Sequence, residues 1–108
     1  MEAECLVVLS TCPDATSAEK IARDLVERRL AACVNILPGL RSIYTWKQGC
    51  ESAEEHLLLI KIRSSAYAAV ERAIRALHPY ELPEVVGVPI AAALPEYLAW
   101  IKQNSAPI

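Results

Sequence analysis

Apolar and polar positions change period several times along this chain. Cys5-Leu6-Val7-Val8-Leu9 is a short, uninterrupted apolar run rich in β-branched residues, which predicts a strand buried on both faces. Cys12-Pro13-Asp14 breaks it. Thr16 stands three residues before Glu19, a capping-box spacing, and Ala18, Ile21, Ala22, Leu25 and Val26 then recur at helical intervals towards Leu30. Cys33-Val34-Asn35-Ile36-Leu37 predicts a second strand. Pro38-Gly39 interrupts it with a kink suited to an edge or a bulge, and the strand resumes through Ile43-Tyr44-Thr45-Trp46. Lys47-Gln48-Gly49 supplies a turn, after which residues 56–62 predict a third strand, antiparallel to the second in a long hairpin. Ser64 or Ser65 is placed to cap a second helix with Tyr67, Val70, Ile74 and Leu77 on one stripe, stopped by His78-Pro79. Residues 85–90 predict a fourth strand, at an edge because of Pro89. Pro95 opens a short last helix with Leu94, Tyr97, Leu98 and Ile101 on one face.

The element order is β-α-β-β-α-β plus a terminal helix, which predicts an α+β, ferredoxin-like sandwich forming a single domain over residues 1–108. Helices can cover one face of such a sheet, yet strands one and three are apolar at nearly every position. The second face and the kinked edge strand are therefore expected to meet other copies of the chain. Composition strengthens this expectation: 54% of residues are hydrophobic and 22% charged, more apolar surface than one small core absorbs. The net charge of −2 comes without a concentrated basic face, which argues against nucleic-acid binding. The opening Met1-Glu2-Ala3-Glu4 is acidic and the apolar run after it, Cys5 to Leu9, is too short for a membrane span or a signal peptide. Cys5, Cys12, Cys33 and Cys50 are irregularly spaced with no CxxC pair, consistent with reduced thiols and a cytoplasmic location.

Candidate chemistry is sparse. No serine–histidine–acid set, paired catalytic carboxylates with a base, or glycine-rich phosphate cradle can be assembled, so an enzyme is not expected. The central strands carry no aromatic residue for stacking bases. His78 reads either as a helix C-terminal residue interacting with the dipole or as a metal ligand. His56 reads as an exposed strand residue. Cys12, at the mouth of the first helix, is placed for a dipole-lowered pKa, against the alternative of a structural role. Lys61 interrupts a Leu/Ile run and is expected to need a carboxylate partner, with Glu54, Glu55 and Glu84 as candidates, or to hold an anion. Tyr44, Trp46, Tyr80, Tyr97 and Trp100 read as core or interface anchors, or less often as pocket walls.

Several ordered strings are more specific. Ala31-Ala32-Cys33-Val34-Asn35-Ile36, Pro38-Gly39 and Ser42-Ile43-Tyr44-Thr45-Trp46 resemble the second-strand signature of the CutA divalent-cation tolerance family. Leu59-Ile60-Lys61, the run from His78 through Pro79-Tyr80-Glu81-Leu82-Pro83 to Glu84, and Tyr97-Leu98-Ala99-Trp100 resemble its later signatures in the same order. The resemblance implies a tight homotrimer, similar in architecture to PII signalling proteins, in which hairpin strands of neighbouring subunits join edge to edge. It also implies a role in tolerance to divalent metals, with Cu(II) or another divalent metal as ligand, in the cytoplasm; animal relatives are associated with cell-surface enzyme anchoring. The copper site proposed for bacterial members uses a Cys at the end of strand one and two adjacent His before Pro-Tyr. Those positions read Ser10, Leu77 and His78, so His78 is the retained ligand, and Cys12 substitutes only if the loop turns it inward. The metal candidates are thus His78 and Cys12. The alternative is a metal-independent sensor holding a small anion between subunits near Lys61, Trp46 and Tyr80, with Tyr44 and Glu84 also assigned to the pocket or interface. A purely structural trimer is the third reading.

Overall fold

The computed structural model describes residues 3–106. Strand β1 (Cys5–Cys12) leads to helix α1 (Ala15–Glu27), then to β2 (Cys33–Trp46) and β3 (Gly49–Arg63). A 3₁₀ turn (Ser64–Ala66) precedes α2 (Tyr67–Leu77), followed by β4 (Val86–Pro89) and α3 (Pro95–Asn104). The four strands form one sheet in the order β2-β3-β1-β4, with every neighbouring pair antiparallel. This is the ferredoxin-like arrangement with an added C-terminal helix. Pro89 lies on edge strand β4, where a missing N–H costs no ladder bond.

Local details differ from the sequence reading for identifiable reasons. Helix α1 is capped by Asp14, whose Oδ1 accepts the Ser17 N–H at 2.8 Å, so the Thr16–Glu19 box is displaced. The chain is still extended at Asp14, and the first suitable acceptor takes the free amide. The helix closes in a Schellman motif: Arg29 adopts φ 61°, its N–H donates to Val26 O, and the Leu30 N–H donates to Leu25 O at 2.9 Å. Neither Ser64 nor Ser65 caps α2; Ser64 Oγ donates instead to the Ala3 carbonyl. Strand β3 starts at Gly49, well before the apolar run, because its polar first half pairs with β2 in a two-stranded ribbon extending past β1.

The two faces of the sheet are unequal. Helices α1 and α2 cover one, where Val8, Leu58, Ile60 and Ile62 pack with Ile21, Leu25, Val70 and Ile74 in a fully buried core. On the other, cross-strand rows place Val86 by Leu9 and Leu59, and Val88 by Val7 and Lys61. Leu37, Val86 and Val88 are exposed, while Val7, Leu9, Leu57 and Leu59 are half-buried. Helix α3 covers part of this second face: it lies against β1 and β3, with Ile101 fully buried and Tyr97 beside Cys33.

The Pro38-Gly39 interruption is a β-bulge. Leu37 pairs with Leu57, but Leu40 pairs with Glu55, so β2 carries one extra residue. Gly39 takes φ 77°, the left-handed conformation that glycine tolerates best. Since side chains alternate along a strand, one extra residue exchanges the faces. Beyond the bulge Ser42, Tyr44 and Trp46 therefore lie on the same side of the sheet as Leu37, Leu57, Glu55 and Thr11. Lys47 and Gln48, at φ 51° and 68°, make the type I′-like reversal that matches the twist of the ribbon.

Candidate functional site

A cleft of about 460 Å³ opens at one end of the second face, where the bulged ribbon leaves the sheet. Its walls are Tyr44, Trp46 and Tyr80, and its charged groups are Glu55, Glu81 and Glu84. Thr11 and Ser42 add hydroxyl-bearing side chains, Leu82 adds apolar surface, and Thr45, whose side chain alternates to the other side of the ribbon, completes the lining. The bulge supplies Tyr44 and Trp46, whereas the segment after α2 supplies Tyr80, Glu81 and Glu84.

His78 holds that segment in place. The Tyr80 backbone N–H donates to its Nδ1 at 3.1 Å. Nε2 is then the protonated ring nitrogen, donating to the Thr11 carbonyl at 2.7 Å. The side chain thus ties the end of β1 to the chain after α2, and its ring lies 4.8 Å from that of Tyr80. Tyr80 OH donates to Glu55 Oε2 at 2.7 Å. Burial, and then this bond to a carboxylate, pushes the Tyr80 pKa well up, so the phenol remains a donor. Glu55 itself is 6% exposed.

Of the residues chosen from sequence, Tyr44, Trp46, Tyr80 and Glu84 meet in this cleft. Lys61 does not. It lies six residues along β3 from Glu55, about 20 Å at the usual strand rise, and its Nζ donates to Asn35 Oδ1. It has no carboxylate partner among the described residues. Within one chain, then, the charged groups of the cleft are three glutamates, and Lys61 stands outside it.

His78 and Cys12, as placed, do not fit a copper centre. Both imidazole nitrogens are occupied by backbone groups, which leaves no free lone pair. The Cys12 side chain belongs to the helix-covered core and is fully buried. Burial, then Asp14 and Glu55, pushes its thiol up to about 11, the reverse of the dipole effect expected. Strand alternation explains the difference: β1 continues to Cys12, and the even positions Ser10 and Cys12 share the face of Val8. Among the described residues, no group of three or more His, Cys, Asp or Glu is placed to hold a metal ion. His56 is half-buried rather than exposed, and its Nδ1 lacks a partner among those residues.

Sequence reasoning treated Glu55 solely as a partner for Lys61 and passed over Thr11, Ser42 and Glu81. A signal for Glu55 was present: it shares the parity of Leu57 and Leu59, the apolar positions of the second face.

Comparison with known proteins places this architecture. The family model for the CutA1 divalent ion tolerance protein matches residues 6–104. The chain belongs to the CutA family. A divalent-cation tolerance protein CutA from Thermus thermophilus is 48% identical over 99 residues, covering 92% of this chain and 96% of the relative. A CutA homologue from Xenopus laevis is 52% identical over 91 residues, covering 84% of this chain but 60% of that longer protein. Among solved structures, CutA from Xylella fastidiosa superposes with a TM-score of 0.93 at 45% identity, covering 96% of this chain and all of that one (100%). The family model and the Thermus relative are named for divalent-cation tolerance and not for a catalysed reaction. No described helix is long and apolar enough to cross a membrane.

Proposed function

We propose that this chain acts as a homotrimeric, ligand-binding member of the CutA family, contributing to divalent-cation tolerance through the Glu55–Tyr80 cleft. The observation that carries the reading is the unequal sheet: an apolar face left half-covered, with a built cleft at one end. Neighbouring copies would cover Leu37, Val86 and Val88 and pair with the open outer edge of β2. The cleft, lined by apolar rings and a few convergent polar groups, has the usual character of a small-molecule site. All four cysteines are free, which suits the cytoplasm. Relatives occupy other compartments by name, chloroplastic in Arabidopsis thaliana and periplasmic in Archaeoglobus fulgidus.

A second reading, weak binding of Cu(II) or another divalent metal, is favoured by the family's association with divalent-ion tolerance and would draw on the carboxylates of Glu55, Glu81 and Glu84, which as placed do not form a ligand cluster. Carboxylate oxygens suit hard divalent ions better than copper. His78 would join such a site only after releasing one of its two backbone partners, and Cys12 only after leaving the core.

Light scattering at micromolar concentration tests the assembly, with three chain masses expected; a folded single-chain particle would reject it. Calorimetric titration of the same sample with Cu(II) and Mg²⁺ tests the second reading. Saturable binding lost in Glu55→Gln supports carboxylate ligation, and heats equal to dilution reject it.

A further inference from the structure

We infer that the Glu55–Tyr80 cleft selects a small organic ammonium ion, such as an aliphatic diamine, over neutral or anionic molecules of the same size. The inference rests on the cleft being a binding site and adds the class of ligand.

The first observation is the burial of Glu55. The residue is 6% exposed and lines the cleft, and its carboxyl group has the neutral Tyr80 hydroxyl as its hydrogen-bond partner. No salt bridge to Glu55, Glu81 or Glu84 occurs among the described residues. A buried carboxylate without a countercharge is costly, and a cation entering the cleft removes that cost.

The second observation is the lining. It contains three glutamates and no Lys, Arg or His. Arg41, adjacent to Ser42 in sequence, falls on the opposite side of the ribbon by strand alternation. The rings of Trp46, Tyr44 and Tyr80 present π surface to a cation, an attraction strongest for Trp. A bare divalent ion gains little from such walls and asks for more oxygen ligands at close range than one buried carboxylate provides. An alkylammonium uses both features: its N–H groups meet Glu55, and its methylenes lie along the rings. The exposed Glu81 and Glu84 at the mouth receive a second ammonium, which is why a diamine fits better than a monoamine. A volume of about 460 Å³ accommodates a molecule of this size.

The test uses the intact assembly, with putrescine, its neutral isostere 1,4-butanediol, and Mg²⁺ as probes in calorimetry and thermal-shift measurements. Putrescine is expected to bind saturably and at least tenfold more tightly than the diol. Glu55→Gln, which keeps an acceptor for Tyr80, is expected to weaken putrescine at least tenfold with the particle mass unchanged. Should that variant fold poorly, Glu84→Gln at the exposed mouth is expected to weaken putrescine about threefold. Equal binding of putrescine and the diol overturns the ammonium preference while leaving the cleft a binding site. Saturation by Mg²⁺ with no response to putrescine overturns it in favour of a metal. Failure of all three probes overturns the cleft as a site, including the case in which a neighbouring subunit's side chain already fills it. Unchanged putrescine affinity in either folded variant also overturns the inference.

Discussion

On the helix-covered face Val8, Leu58, Ile60 and Ile62 are fully buried, whereas Val7, Leu9, Leu57 and Leu59, one residue along on the same strands, stay partly open. The side chains are of the same kinds and the strands are shared. What differs is the partner: α1 and α2 span the first face, while α3 reaches part of the second. Hydrophobic patterning therefore reports how much surface a chain wants to bury, and the helices report how much it can bury alone. The remainder points to association, and the polar groups at one end of that remainder point to a ligand.

The sharpest way to break this comparison is to truncate neighbours on one strand. Ile60→Ala should cost about 2–5 kcal/mol, because it opens a cavity in a closed core. Leu59→Ala should lower the urea midpoint by much less in dilute solution but reduce the mass seen by light scattering. Similar losses for both in midpoint and mass would show that the two faces are equivalent.

A smaller effect sharpens the assignment of Cys12 to the core. Its pKa is raised from 9.0 to about 11 in the folded chain, so the native state holds the thiol proton more tightly than the unfolded state. The associated stability is present below about pH 9 and is lost as pH rises through about 11, on the order of 3 kcal/mol at most. Cys12→Ala should flatten that alkaline decline in urea unfolding measured from pH 8 to 11. An unchanged slope would place the thiol in water.

The smallest effect concerns the ribbon. Lys47 and Gln48 occupy left-handed backbone positions, and replacing them with Asn-Gly should stabilise the hairpin by about 0.5–1 kcal/mol. Thermal unfolding would register it, and a decrease would show that the turn side chains make contacts worth more than their backbone strain.

Element types and order were legible because each period is clean: 3.6 in 18–25, uninterrupted in 5–9 and 56–62. Less visible was the reach of the strands. Ser10-Thr11-Cys12 and residues 49–55 are strand through pairing, not through their own apolarity. The site was half legible. Tyr44, Trp46, Tyr80 and Glu84 stood out as aromatic or acidic residues in distinctive strings, and they converge. Lys61 lies apart from them within one chain because six strand residues separate it from Glu55, and Cys12 joins the core because β1 runs three residues beyond its apolar stretch. His78 was weighed as a dipole partner or ligand, whereas its two backbone bonds make it a clasp between β1 and the segment after α2.

The extra residue at the bulge has an evolutionary corollary. Point substitutions along 40–46 alter one contact at a time, but a one-residue deletion at Pro38 or Gly39 would remove the bulge and the bend it gives the outer ribbon. Ser42, Tyr44 and Trp46 would keep their pairing and still face Glu55, so the aromatic wall would move with the straightened ribbon while its side chains stayed the same. Across homologues, then, an alignment gap at this point should signal a cleft of altered shape with its lining residues retained.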